Sequence, residues 1–336
     1  MGIANTIPLV RAAVFAPFID VARQIGVPVE KTLQSVRLPS LPADSPERLL
    51  PELPCWQFIQ SVAWKEGIPD FGLLAANSTA HQDIATLTPL ISDCTNLYDL
   101  LKRFCAVAPL QAYTAVYALE EQGDVVWLTQ KGACLLEEDI QVQLFVVMGM
   151  IQLIQLAAGP DWRPTEIQFT FKRRADAELM LALNPGRILY SRANPAIAIP
   201  RHLLPLPLPG LNTSAERDAD KPAGLSTMPE SFSKGLRAAI FPYLGEQQLS
   251  KKLLAEITGL SPRTLHRRLA EQQTSYSRVL DEARLLKAAT MLEETDAPLL
   301  EISLMLDYEN ASSFTRAFRR WTGVSPREYR HRHSPT

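Results

Sequence analysis

Apolar and polar positions follow two regimes along this chain. Before residue 200, helix-like and strand-like stretches are mixed; after residue 231, only the helical period remains. Residues 55–76 read as a helix, with Trp56, Ile59, Gln60 and Ala63 on one turn-spaced face. Residues 97–106 read as a helix opening after Asn96. Residues 113–119 and 124–129 read as two strands around a turn at 120–123. Residues 137–158 are apolar around most of the helical circumference, which suits either a core or a partner helix. Residues 165–171 alternate as a strand, and 176–183 read as a helix ended by Asn184-Pro185-Gly186. Together these predict an α+β domain, an antiparallel sheet backed by helices.

Prolines then interrupt the pattern. Pro200, Pro205, Pro207, Pro209, Pro222 and Pro229 are too dense for helix interior or central strand, so 206–230 reads as a linker. Leu203–Leu208 can still pack on the preceding domain. The division is an N-terminal domain over 1–205, a linker over 206–230 and an all-helical domain over 231–333.

The helical part carries two units of the same design. In the first, Ser250 is placed to cap a helix over 251–258, Gly259 supplies a sharp turn, and Ser261 with Pro262 opens the next helix. On that second helix Leu265 and Leu269 face inward, while Arg263, His266 and Arg267 share the outward face at i, i+3 and i+4, with Thr264 in the same first turns. In the second unit a helix over 299–306 meets a turn at Asp307-Tyr308-Glu309, and Asn310 caps the following helix. There Phe314, Ala317, Phe318 and Trp321 form the apolar face, and Ala311, Ser312, Thr315, Arg316 and Arg319 lie opposite. Helices of this kind enter the major groove, where arginine pairs with guanine or phosphate. A long helix over 276–292 would set their separation, to be matched against the roughly 34 Å of one duplex turn. The bland alternative for each unit alone is a solvated basic face; two in tandem are far more specific.

Charge changes this picture only modestly. The whole chain has 34 Lys+Arg and 36 Asp+Glu. From Ser231 onward there are 16 against 12, while the rest holds 18 against 24, so the basic surplus sits on the helical part.

Residues 232–333 resemble the DNA-binding domain of the AraC/XylS family of transcription regulators. The resemblance rests on Gly259-Leu260-Ser261-Pro262-Arg263, continuing to Leu269; on Asp281-Glu282-Ala283-Arg284; and on 312–330, from Ser312-Ser313-Phe314-Thr315-Arg316 to Ser325-Pro326-Arg327-Glu328-Tyr329-Arg330. It implies that Arg263, His266 and Arg267 lie where the first recognition helix reads bases, and that Ala311, Ser312, Thr315 and Arg316 lie on the corresponding face of the second. Two positions depart from the family pattern. Asp307 stands where the second turn has glycine, and must enter the left-handed region at some cost. Ser303 replaces a small apolar residue. More loosely, residues from roughly 20 to 205 resemble the arabinose-binding-like sensing domain of one branch of the family.

The resemblance implies double-stranded promoter or operator DNA as partner, RNA polymerase as a second, activation or repression of transcription, control by an unidentified small-molecule effector or partner bound to the N-terminal domain, and a homodimer as a further partner. It implies no cofactor. Candidate effector contacts are aromatic: Trp56, Tyr113, Tyr117, Trp127, Phe145 and Phe169, each of which also suits an ordinary core. Lys172-Arg173-Arg174 suits either an anionic effector or solvent.

Enzyme chemistry is not indicated. GxSxG, HExxH, GxGxxG and Walker motifs are absent. His81 with Asp83, and the acidic run Glu137-Glu138-Asp139, lack a nucleophile or metal set. The irregular spacing of Cys55, Cys94, Cys105 and Cys134 argues against zinc. With no secretory leader and no apolar run long enough to span a bilayer, the expected location is cytoplasmic, off the membrane.

Overall fold

The computed structural model describes residues 6–40, 45–79, 94–131, 140–173, 183, 185–208, 227–246 and 249–333. His81, Asp83, Cys134, the acidic run at 137–139 and nearly all of the expected helix over 176–183 lie outside them.

The N-terminal part opens with β1 (Leu9–Arg11), which pairs antiparallel with β2 (Leu49–Pro51). Four helices follow around these strands: α1 (Ala12–Gln24), α2 (Val29–Ser35), α3 (Glu52–Lys65) and α4 (Phe71–Thr79). The single helix expected over 55–76 is therefore two. Gly67-Ile68-Pro69 interrupts it, since proline disfavours helical geometry in the residue before it. Next comes α5 (Leu97–Val107), capped as expected by Asn96, whose Oδ1 accepts the Asp99 amide at 3.0 Å.

The main sheet has five strands: β3 (Tyr117–Gln122), β4 (Val125–Gln130), β5 (Glu166–Gln168), β6 (Arg187–Leu189) and β7 (Ala196–Pro200), in the order β3-β4-β7-β5-β6. The hairpin lies further along the chain than the pattern suggested, with its turn at Gly123-Asp124. The sheet is also mixed rather than wholly antiparallel: β5 and β6 run parallel.

Helix α6 (Ile140–Ala158) holds this part together. By length and hydropathy it is apolar enough to cross a membrane, which corrects the expectation that no such segment exists. Here it is the central core helix. Leu144, Val147, Met150, Ile151 and Ile154 pack against the sheet, and Val142 packs against α1, α3 and α4. An all-round apolar helix finds burial by lying between two layers. Leu203, Leu204 and Leu208 dock on the sheet-side core, so the start of the proline-rich stretch belongs to the domain.

The C-terminal part contains α7 (Phe232–Ile240), α8 (Lys251–Thr258), α9 (Pro262–Glu271), α10 (Tyr276–Glu294), α11 (Leu299–Met305), α12 (Ala311–Thr322) and α13 (Pro326–His333), with no strand among its described residues. One feature was not anticipated: β1 is shared. Ile7 and Leu9 lie in the same buried cluster as Phe232, Leu236, Ile240 and Tyr243, while Val10 faces the N-terminal core. Alternation along an extended strand thus places successive side chains in the cores of two domains.

Candidate nucleic-acid interface

Helices α8 and α9 meet at a three-residue turn, Gly259-Leu260-Ser261. Ser250 caps α8, accepting the Leu253 amide at 3.0 Å. Gly259 then takes φ +67°, a conformation that a side chain would strain. Ser261 caps α9 by accepting the Thr264 amide at 3.2 Å, and its hydroxyl also meets that of Thr264 at 2.9 Å. Leu265 and Leu269 are buried; Arg263, His266 and Arg267 are exposed on the opposite side. The Arg267 guanidinium reaches Glu271, one turn on, at 2.6 Å. Both partners are open to water, so that pairing holds the arginine only weakly. Arg268 is turned away from the exposed face and lies over the Phe232 ring at 5.4 Å.

The second unit repeats the plan. Asn310 caps α12 through the Ser313 amide at 2.8 Å. Phe314, Ala317 and Phe318 are buried, Ser312, Arg316 and Arg319 exposed, and Ala311 and Thr315 half-buried. The Thr315 hydroxyl donates to the Ala311 carbonyl at 2.7 Å.

Asp307 enters the left-handed region, with φ +61°. Its carboxylate lies 3.9 Å from Arg284, which stacks over the Tyr308 ring at 5.0 Å. Burial pushes the Asp307 carboxyl up; Arg284 and Lys287 pull it back. Ser303 is fully buried beside this turn and donates to the Leu300 carbonyl at 2.6 Å. Helix α10 joins the two units, and Arg320 of α12 reaches Asp281 of α10 at 3.1 Å.

The six aromatic candidates of the N-terminal part do not converge. Trp56, Tyr117 and Phe145 line one cavity of about 510 Å³ between α1, α3, α6 and the sheet. Phe169 is not part of it: the ring is fully buried against Phe171, 4.7 Å away. Trp127 packs with Ala196 and Ala198 in a separate cluster, and Tyr113 is also outside the cavity wall. Period-two alternation alone does not say which face of a strand looks into a cavity.

Two buried ionisable groups escaped the sequence reading. Arg11 donates to the Leu110 carbonyl at 2.8 Å and pairs with Glu47 at 2.6 Å. Glu52, at the start of α3, accepts the Thr114 hydroxyl at 2.7 Å and the Thr114 amide at 3.1 Å. Burial raises its carboxyl to about 7, with the Thr114 bonds opposing the shift. Each is an isolated charge in an apolar stretch, and only long-range folding reveals its partner. Among the described residues, no group of His, Cys, Asp and Glu is placed to hold a metal.

Two helix pairs, each with a tight turn, a capped second helix and arginines on the outward face, define a tandem helix-turn-helix architecture. A helix-turn-helix domain model matches residues 254–332, and the model of the arabinose-binding N-terminal domain of AraC transcription regulators matches 26–208. The chain belongs to the AraC family of transcription regulators, a family of regulators rather than enzymes. An HTH-type transcriptional regulator of Mycobacterium bovis, Mb1430, is 30% identical over 49% of this chain and 50% of its own length. VqsM of Pseudomonas aeruginosa is 34% identical over 40% of this chain and 42% of its own. The ornithine utilization regulator of the same species is 46% identical over 21% of each chain. The chain thus spans at most about half the length of these curated relatives.

Proposed function

We propose that this protein is a sequence-specific transcription regulator whose α9 and α12 read promoter DNA under the control of its N-terminal part. The observation that carries the reading is the pair of outward basic faces, Arg263, His266 and Arg267 on α9 and Arg316 and Arg319 on α12, each behind a capped helix start. Thr264, Ala311, Ser312 and Thr315 would allow close approach to the backbone or base edges.

Control by a small-molecule effector or a partner is supported by direct packing between the parts. Leu53 of α3 lies against Gly259 in the first helix-turn-helix turn, and a Cβ there would stand 3.0 Å from the Leu53 Cδ2. Ser40 donates to the Glu246 carboxylate through both its amide and its hydroxyl, at 2.7 Å each, and Arg37 stands 3.4 Å from Glu256 of α8. An effector that favours one arrangement of these contacts shifts how the reading heads are presented. The same reading includes RNA polymerase as a partner, activation, a cytoplasmic location and pairing of two chains through a surface other than α6.

The test is to capture fragmented genomic DNA with the purified full chain and with residues 227–333 alone, followed by sequencing. Enrichment of a few promoters supports the reading. Enrichment only by the short fragment means the N-terminal part restrains DNA binding. Failure of both, with the short fragment shown by circular dichroism to be folded without Ile7 and Leu9, removes α9 and α12 as working DNA readers.

A further inference from the structure

The cavity beside α3 has two chemically different ends. Ten of its seventeen lining residues are apolar, and its buried end is walled by Phe18, Trp56, Ala112 and Val142. Several polar groups on this wall are already used by the fold. The buried Gln143 side chain donates to the Thr170 hydroxyl at 2.7 Å and accepts the Thr170 amide at 3.0 Å. Thr114 spends both its hydroxyl and its amide on Glu52. A sugar placed at this end would bury several hydroxyls against satisfied or apolar partners, each losing its water without replacement. An aryl or alkyl group loses nothing there and gains from burial.

The open end is different. Gln130, Lys131 and Asn194 stand there, with Lys131 exposed. Lys131 pairs with Glu120, and both side chains are at least one-third exposed, so a ligand anion can compete for the ammonium at little cost. Among the described lining residues Lys131 is the one that carries a charge. The wall at the buried end offers a carboxylate no cation, whereas Lys131 offers one at the rim, so an anionic head is better placed there.

We propose that this cavity binds a small monocarboxylate, its aryl or alkyl body in the pocket and its carboxylate at Lys131, and does not bind a free sugar. The inference names a ligand class for the effector control proposed above and rests on that reading for its biological consequence only.

Calorimetric titration of the full chain tests it, using phenylbutyrate, naphthylacetate, octanoate, their matched alcohols and L-arabinose. At least one carboxylate is expected to bind saturably at one site per chain, its alcohol more weakly, and arabinose not at all. Lys131→Gln is expected to weaken the carboxylate roughly fivefold while leaving the alcohol unchanged, as the loss of one exposed ion pair predicts. Ala115→Phe, on the lining, is expected to abolish binding; Lys131→Gln, at an exposed rim, keeps the test valid if that variant does not fold. The proposal is overturned if none of the three carboxylates saturates, if arabinose binds, or if Lys131→Gln affects acid and alcohol alike. Promoter-DNA affinity measured with saturating carboxylate separates the two readings: an unchanged value sinks effector control and leaves the ligand class standing.

Discussion

Arg267 and Glu52 show how differently two charges are used in this chain. Arg267 stands in water on the outer face of α9, paired with Glu271 of its own helix. Replacing it with alanine should cost on the order of 1–3 kcal/mol of DNA affinity and relax preference at one base position. Selection from a randomised operator pool checks this; an even loss across all sequences would make Arg267 a phosphate contact. Glu52 is fully buried, and its carboxyl is raised from an ordinary 4.5 to about 7. In the window between those values the folded protein holds a proton that the unfolded chain has released. Its contribution therefore favours folding below about 4.5 and is lost as the pH rises through about 7. Glu52→Gln removes that dependence. Relative to the parent chain, the variant should gain melting temperature as the pH rises from about 5 to about 7 and level off above it. A constant difference across the range would mean that Glu52 does not titrate on folding.

At the scale of elements, local chemistry explains the reading heads well. The caps Ser250, Ser261 and Asn310, and the left-handed Gly259, are nearest-neighbour devices that need no tertiary information. Asn310→Ala should cost about 1 kcal/mol of stability by leaving the Ser313 amide without its side-chain partner. Equilibrium denaturation in urea measures it, and an unchanged midpoint would deny the cap a role. Asp307 is the exception, and tertiary contact explains it: Arg284, braced on Tyr308, stands 3.9 Å from a carboxylate that glycine would lack. The hairpin and the 55–76 segment were less legible for the complementary reason. A turn moves by a few residues, or a helix divides, with little change in periodicity, and the choice falls to packing.

Across the whole molecule the chain is tied together by β1. Leu9 belongs to the core of the C-terminal part although more than two hundred residues separate it from Phe232 and Leu236. Leu9→Ala should therefore destabilise the helix-turn-helix domain by about 2–5 kcal/mol, as truncation of a buried leucine does elsewhere. Fluorescence of Trp321, which packs in the C-terminal part, would report the earlier unfolding in a variant whose other tryptophans are replaced by phenylalanine. If only the N-terminal part melted early, Leu9 would not be shared. The same connection places α3 between the cavity, through Trp56, and the first reading head, through Leu53. Leu53 and Trp56 lie one turn apart at the start of α3, so that turn is a short physical path along which occupancy of the cavity can reach α9.

By itself the sequence determined what depends on neighbours within a turn or two: the helical period after residue 231, both capped helix-turn-helix units, the outward basic side chains and the α+β character of the first domain. It also carried the family resemblance, because that is written in short contiguous motifs. The tertiary structure decided what depends on groups far apart in the chain. It selected which aromatic residues line a cavity, placed β6 parallel to β5, buried Arg11 and Glu52 beside distant partners, and laid the N-terminal strand into the second core. Periodicity specifies that a side chain is buried; only the folded chain specifies against what.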